Sequence, residues 1–260
     1  MKLGARIALA LSLALVACTP SDEPGAERQE AVGIAPPATS GPATTPVPST
    51  SDAADPFETT AVRTRFAGRN IRPLPADLQR AMRGETWRLG CPVPLTELAL
   101  LRFNHWSFDG AVERGPMVVH RSVARDVLRV FATLFEVGFP IREVALAERF
   151  RPNADPNTRR SVTAAFNCRP VVTPDGPGDT FSQHAFGLAV DVNSLQNPYV
   201  RADGYVRNRF ARPYVDRALE LPGMIHDDDA VVRAFAAIGW TWGGDWDGGK
   251  DYMHFSLTGR

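Results

Sequence analysis

The 260-residue sequence has no net charge, only three cysteines and no internal repeat. Because 29 basic residues balance 29 acidic ones, there is no electrostatic case for nucleic acid or for a strongly acidic partner. The apolar run over residues 7–17 is too short to span a bilayer as a permanent helix. With 44% hydrophobic and 22% charged residues, the composition is typical of a globular protein, which we expect to be a monomer.

The first 17 residues are predicted to be an export signal. Lys2 and Arg6 precede an apolar segment that ends in Leu15-Val16-Ala17-Cys18. This ending resembles the lipobox of bacterial lipoproteins, and the resemblance implies that Cys18 is acylated and becomes the first mature residue. Several acyl chains on one cysteine would anchor the protein stably to a membrane. The alternative is an ordinary secreted protein with a cysteine near its cleavage site.

Residues 18–56 are predicted to be a disordered, lipid-anchored linker. They contain eight prolines, six acids against one base, and almost no large apolar side chains, so they cannot bury enough surface to fold. Anchor and linker together place the protein outside the cytoplasm at the bacterial membrane, where cell wall fills the space. Residues 57–260 are predicted to form one domain, with an N-terminal extension and a core over about 88–260.

Strands and helices alternate irregularly in this domain, which favours an α+β fold with a small antiparallel sheet flanked by helices. The Asp109-Gly110 turn between two apolar stretches predicts a hairpin. Ser122 is the expected cap of a helix that ends at Gly138. The other expected elements are helices over 76–82 and from Asp227 to Gly239, and strands over 144–150, 188–193 and 252–257.

One stretch, residues 182–193, holds His184 and Asp191 seven positions apart. Seven extended residues would span roughly 23 Å, too far for both side chains to share one metal ion, so the chain must bend near Gly187. From residue 188 apolar and polar positions alternate, which predicts a strand with Asp191 on its polar face. The two side chains are either ligands of a zinc ion, or a buried aspartate satisfied by backbone donors beside a surface histidine.

His254 is the best candidate for a third zinc ligand, because a catalytic zinc commonly has three protein ligands and an open position. Asp251 precedes it by three residues and is expected in the turn before the strand, where it can act as general base on zinc-bound water. The alternatives are a turn-capping aspartate and a histidine packed against the C-terminal tryptophans.

The pattern Ser182-x-His184-x-x-Gly187-x-Ala189-x-Asp191, followed by Asp251-x-x-His254, resembles the zinc D-alanyl-D-alanine carboxypeptidases and L-alanyl-D-glutamate endopeptidases, which include VanX- and VanY-like enzymes. The resemblance implies a hedgehog/DD-peptidase-like α+β domain with one Zn²⁺ on an antiparallel sheet. It implies zinc ligation by His184, Asp191 and His254, and catalysis by Asp251 on peptidoglycan stem peptides.

The same resemblance implies that an arginine upstream of the first motif polarises the scissile carbonyl of the substrate. Arg169, in Phe166-Asn167-Cys168-Arg169-Pro170, is our choice, with Arg149 and Arg151 as rivals. Many family members carry Glu where this chain has Asp251, and the endopeptidase-like members carry Asp. The bond cleaved therefore stays open between D,D-carboxypeptidase and endopeptidase activity.

Two further functions remain as alternatives: a catalytically inactive cell-wall-binding lipoprotein of the same fold, and a non-haem iron oxygenase with two histidines and a carboxylate. The usual His-x-Asp spacing of such oxygenases is absent here. Once Cys18 is lipidated, Cys91 and Cys168 remain, and an oxidising exterior predicts a disulfide between them, the rival being two buried thiols. Ser182 is expected to order the loop around His184 rather than to act as a nucleophile.

Overall fold

A computed structural model describes residues 65–68, 70–147, 158–173 and 176–259. The predicted export signal, Cys18 and the linker lie outside the described residues, as do Arg149 and Arg151. In the part of the chain that is described, no helix has the length and apolar character needed to cross a membrane.

The largest sheet is built on the predicted hairpin. Its three antiparallel strands lie in the order β1 (Asn70–Pro73), β2 (Leu98–Trp106) and β3 (Val112–His120). Ser107 O accepts from Gly110 N at 3.1 Å in the turn between β2 and β3. The hairpin prediction is thus confirmed. β3 extends further toward the turn than the apolar run 117–120 indicated, whereas β2 ends at Trp106, before the end of the apolar stretch 98–108.

Two helices accompany this sheet, α1 (Ala76–Met82) and α2 (Ala124–Glu136). The expected Ser122 cap is wrong: α2 begins after Val123, which makes no side-chain cap. Ser122 lies one position before the observed N-cap, and its hydroxyl is 2.6 Å from His120 Nδ1. Gly138 follows α2 with a φ of 72°, as expected for a helix stop.

The second sheet carries the C-terminal half of the domain. It orders β6 (Ala189–Asp191), β10 (His254–Ser256) and β8 (Thr241–Trp242), with β10 antiparallel to both neighbours. A one-turn helix, α3 (Gln183–Phe186), precedes β6, and α4 (Ala230–Ala236) precedes β8. The predicted strand around Asp191 is present but shorter than the alternation suggested.

Two further pairs complete the architecture: β4 (Pro170–Thr173) with β5 (Gly176–Phe181), and β7 (Tyr199–Val200) with β9 (Lys250–Asp251). Short 3₁₀ helices occupy Leu95–Glu97, Arg209–Tyr214 and Gly243–Asp245. The domain is therefore α+β with several small antiparallel sheets instead of the single sheet expected. Val144 forms only an isolated bridge with Thr163, so the strand expected from residue 144 is wrong over its described part; residues 148–150 lie outside it.

One hydrophobic core joins the two three-stranded sheets. On one side Phe131 of α2 stacks on Phe103 of β2, with ring centroids 4.3 Å apart. On the other side Phe235 of α4 stacks on Phe255 of β10 at 4.1 Å. All four rings are buried in the same cluster, with α2 packed against both β2 and α4. This packing fixes β10 and hence the polar residues at its start.

Candidate metal centre

His184 is positioned by a single helical turn with a cap at each end. The Ser182 hydroxyl accepts from His184 N at 3.3 Å, which gives Ser182 the ordering role expected of it. Gly187 closes the turn in the left-handed conformation, with a φ of 70°. A Cβ at this position would lie 2.5 Å from the backbone nitrogen of His120, so only glycine fits. The predicted bend at Gly187 is present and turns the chain back toward β6.

Asp191 and His254 face each other across paired strands. Asp191 is the last residue of β6, and His254, the first residue of β10, is its direct partner in the antiparallel register. Directly opposed residues have their side chains on the same face of the sheet. Strand pairing therefore brings together two residues that are 63 positions apart in the sequence.

Three side-chain atoms converge at this point. His184 Nε2 lies 3.1 Å from Asp191 Oδ1 and 3.2 Å from His254 Nδ1, and His254 Nδ1 lies 3.2 Å from Asp191 Oδ1. Tetrahedral zinc bonds of about 2.0–2.1 Å would place ligand atoms about 3.3–3.4 Å apart. The triangle matches that spacing closely, so the three predicted ligands are arranged around a space suited to one metal ion.

The protonation states of His184 and Asp191 also suit the binding of a cation. His184 Nδ1 lies 2.6 Å from the carbonyl oxygen of Ala165, which can only accept, so Nδ1 donates and Nε2 presents a lone pair when the ring is neutral. Burial alone would raise the pKa of Asp191, but His184 and then His254 hold that pKa well below its usual range. A carboxylate and an imidazole lone pair thus meet in one buried space, as metal ligation requires.

A short piece of chain, the support segment (residues 164–169), holds two of these ligands through its backbone. Ala164 and Asp191 exchange two backbone hydrogen bonds, of 3.0 and 2.8 Å. The Ala165 carbonyl accepts from the His184 ring, and Asn167 N donates to His184 O at 3.1 Å. Orienting groups of this kind fix a ligand's rotation and tautomer.

The support segment is itself fixed by a disulfide. Cys168 is bonded to Cys91, and Cys168 N donates to Thr86 O at 2.9 Å. Cys168 is buried. The covalent link joins the chain before β2 to the segment that supports His184 and Asp191.

Asp251 lies beside the three-atom cluster but on a separate element. The expectation that it belongs to a turn is wrong: it is the second residue of β9 and pairs with Tyr199 of β7, which leaves Tyr252 and Met253 as the turn before His254. Gly243 packs directly on it, since a Cβ at Gly243 would lie 2.5 Å from Asp251 O. This close approach explains the glycine pair in the sequence near Trp242.

The Asp251 carboxyl has the properties of a proton acceptor. Its Oδ1 is buried and has no hydrogen-bond partner among the described residues. Burial raises the pKa of Asp251 to about 7; His254 opposes the rise, Asp191 adds to it, and Arg169 opposes it. A carboxyl with a pKa near neutrality can both take and return a proton at physiological pH.

A cavity of about 550 Å³ opens over the cluster, and His184, Asp191, Asp251 and His254 all line it. Arg169 lines it too, half-buried, with Nη1 donating to Pro170 O at 3.2 Å. Its two rivals, Arg149 and Arg151, lie outside the described residues. The structure thus brings Arg169 to the same cavity as Asp251 and the three candidate ligands.

Sequence reasoning missed the groups that act through the backbone. The carbonyl of Ala165 orients His184, yet no side-chain pattern marks it. Tyr199, the strand partner of Asp251, is likewise unmarked in the sequence. Gly243 did carry a signal, because a glycine pair beside a bulky aromatic run is typical of a close backbone approach.

Comparison with known families agrees with this geometry. Residues 176–257 match the family model described as D-alanyl-D-alanine carboxypeptidase. That range contains the three candidate ligands and Asp251. The match supports a peptidase from a group of zinc peptidases. No curated protein and no solved structure gives a significant match to the chain.

Proposed function

We propose that the protein is a zinc-dependent metallopeptidase that hydrolyses peptidoglycan stem peptides, as a D,D-carboxypeptidase or an L-Ala-D-Glu-type endopeptidase. The observation that carries the proposal is the convergence of His184, Asp191 and His254 beside the buried carboxyl of Asp251, within the range that matches a peptidase family. The cavity above the cluster has the size of a small-molecule or short-peptide site.

The three converging atoms would hold the metal ion: His184 Nε2, Asp191 Oδ1 and His254 Nδ1. Two imidazole nitrogens and one carboxylate oxygen suit zinc, and three protein ligands leave a position open for chemistry. When bound, the ion would act as a Lewis acid on the scissile carbonyl and lower the pKa of a water molecule.

The residues of the chain would then handle protons and charge. Asp251 accepts a proton from the attacking water as the oxygen–carbon bond forms, and delivers it to the leaving amine as the carbon–nitrogen bond breaks. Arg169, on the same cavity, stabilises the negative charge on the carbonyl oxygen of the tetrahedral intermediate. A cation in the cluster would oppose the rise in the pKa of Asp251 and so favour the basic form.

We also propose that the domain works outside the cytoplasm, anchored to the bacterial membrane through Cys18. The lipobox-like sequence and the proline-rich residues after it support this placement. Growth with a radiolabelled fatty acid tests it. The full-length protein should be labelled and remain with the membrane fraction, whereas Cys18→Ala should be unlabelled; label on both variants would contradict the anchor.

The catalytic proposal is tested with the purified full-length protein, its metal content and a synthetic stem peptide. We expect one zinc per chain and hydrolysis products identifiable by mass spectrometry. Asp251→Asn should retain zinc while activity falls by about 100-fold or more, because the proton acceptor is lost and the ligands are not.

Three outcomes would overturn this reasoning: no zinc in the purified protein, full activity of Asp251→Asn, or no hydrolysis of any stem peptide. Zinc binding without hydrolysis would favour the inactive wall-binding protein. Fragment masses would also identify the bond, since release of D-alanine and release of an L-alanine-ended chain differ.

A further inference from the structure

The cavity above the metal centre extends well beyond the four clustered residues. Its lining also includes Val171 and Val172 of β4, and Val206, Arg207 and Asn208 from the loop after β7. The carboxylates and arginines that line this cavity set what charge a substrate meets there. The acids are Asp191, Asp247 and Asp251, and the arginines are Arg160, Arg169 and Arg207.

Arg207 differs from the other arginines in its lack of a partner. Arg160 is paired with Glu143, and Arg169 Nη1 donates to Pro170 O at 3.2 Å. Arg207 makes no ion pair, hydrogen bond or ring contact with any residue that the structure describes. Among the described residues it is therefore the arginine of this cavity whose charge has no partner.

The backbone that carries Arg207 is held firmly on both sides. Val206 is 4% exposed and packs with Leu195 and Ala211 in a small cluster of its own. Asn208 Nδ2 donates to Thr158 O at 2.9 Å, and its Oδ1 accepts from Phe210 N at 3.0 Å. The main chain at Arg207 is thus already ordered, so binding of a ligand would have to order only the exposed guanidinium side chain.

We propose that Arg207 is a specificity-determining residue that binds a carboxylate of the peptide substrate while the scissile bond lies at the metal centre. This inference rests on the proposed function. Guanidinium groups pair with carboxylates through two parallel hydrogen bonds, and Arg207 is an exposed residue of the cavity lining that a peptide carboxylate can reach. Stem peptides offer such a group at the free C-terminus and at the α-carboxyl of D-glutamate, and the experiment separates the two sources.

The test uses the zinc-loaded full-length protein and three synthetic pentapeptides: the parent stem peptide, its C-terminal amide, and the version with D-isoglutamine in place of D-glutamate. The wild-type protein should lose about 10–100-fold in kcat/KM when the recognised carboxylate is neutralised, the range expected for a charged hydrogen-bonded pair. Arg207→Met should lose the same factor on the parent peptide and show no preference between it and that neutral analogue.

Two further variants separate recognition from folding. Arg207→Lys keeps the charge but not the two-pronged geometry, and should keep part of the preference. Arg212→Met removes an exposed arginine of the 3₁₀ helix that follows this loop; Arg212 does not line the cavity, and the variant should behave as wild type.

The inference is overturned if the wild type hydrolyses all three peptides equally, or if Arg207→Met keeps the full preference; the proposed function would survive both results. If the wild type hydrolyses none of the peptides, the proposed function fails and the inference fails with it. If Arg212→Met lost the same factor in kcat/KM as Arg207→Met, the inference would also be overturned, because the loss would then reflect a structural effect and not carboxylate recognition.

Discussion

Replacement of Gly187 by alanine should disturb the metal centre from a distance, because Gly187 sets the return of the chain between His184 and Asp191. Two costs combine at this position. An alanine with a φ near 70° costs about 1–2 kcal/mol. Its Cβ would also lie 2.5 Å from His120 N and 3.0 Å from Val119 C, backbone atoms that cannot move aside cheaply. Overpacking of this kind typically costs about 1–3 kcal/mol more.

Gly138→Ala is a matched control. Gly138 has nearly the same φ, 72°, but nothing lies within 4 Å of its added Cβ. The control should therefore cost only the conformational term of about 1–2 kcal/mol. Gly187→Ala should cost about 2–5 kcal/mol in total, and any relaxation of the clash would shift α3 and the ring of His184.

Urea unfolding of the zinc-free protein, followed by tryptophan fluorescence, measures the free energy of unfolding of both variants. Competition with a chromophoric chelator measures zinc affinity, which should fall about 10–100-fold for Gly187→Ala and stay unchanged for Gly138→Ala. If the two variants unfold alike and bind zinc equally well, the close approach at Gly187 does not position His184 and the reasoning is refuted.

Three other predictions address the groups around the cluster. Because the pKa of Asp251 is raised to about 7, the folded zinc-free protein holds a proton there that the unfolded chain releases near pH 4, so its stability falls as pH rises between those values. Asp251→Asn should therefore be more stable than wild type at pH 8 and similar at pH 4 in urea unfolding; equal curves at both pH values would contradict the raised pKa. Gly243→Ala would place a Cβ 2.9 Å from Asp251 Cβ and should reduce kcat at least about tenfold while zinc content stays at wild type; an unchanged kcat would contradict that contact. Cys91→Ser with Cys168→Ser should cost about 2–5 kcal/mol in thermal unfolding and also weaken zinc binding, and unchanged zinc affinity would mean that the disulfide does not fix the support segment.

The elements that sequence reasoning located are those with a local signal. The hairpin carries an apolar stretch on each side of Asp109-Gly110. The bend at Gly187 was expected because seven extended residues would hold His184 and Asp191 too far apart to share one metal ion. The convergence of His254 with those two residues was expected from the two ordered motifs. Neither segment alone predicts it, because the register between β6 and β10 is not visible in either sequence.

The elements that it missed depend on partners far along the chain. Asp251 was expected in a turn because residues 251 and 254 cannot share one face of a single strand, yet it forms its own strand with Tyr199. The predicted Ser122 cap failed because the helix begins one residue later, after Val123, and the Ser122 hydroxyl is paired with His120 instead. Division into several small sheets likewise follows from long-range pairing, which single-segment periodicity does not encode.

The support segment has two roles: it holds two of the candidate metal ligands, and it lines the cavity above them. Its peptide groups hold His184 and Asp191, and four of its residues line the cavity: Ala164, Ala165, Asn167 and Arg169. A change of side chain at Ala164 or Asn167 therefore alters the wall that a substrate meets and leaves the ligand-holding hydrogen bonds in place. The molecule can thus diversify what it accepts without rebuilding the centre that acts on it.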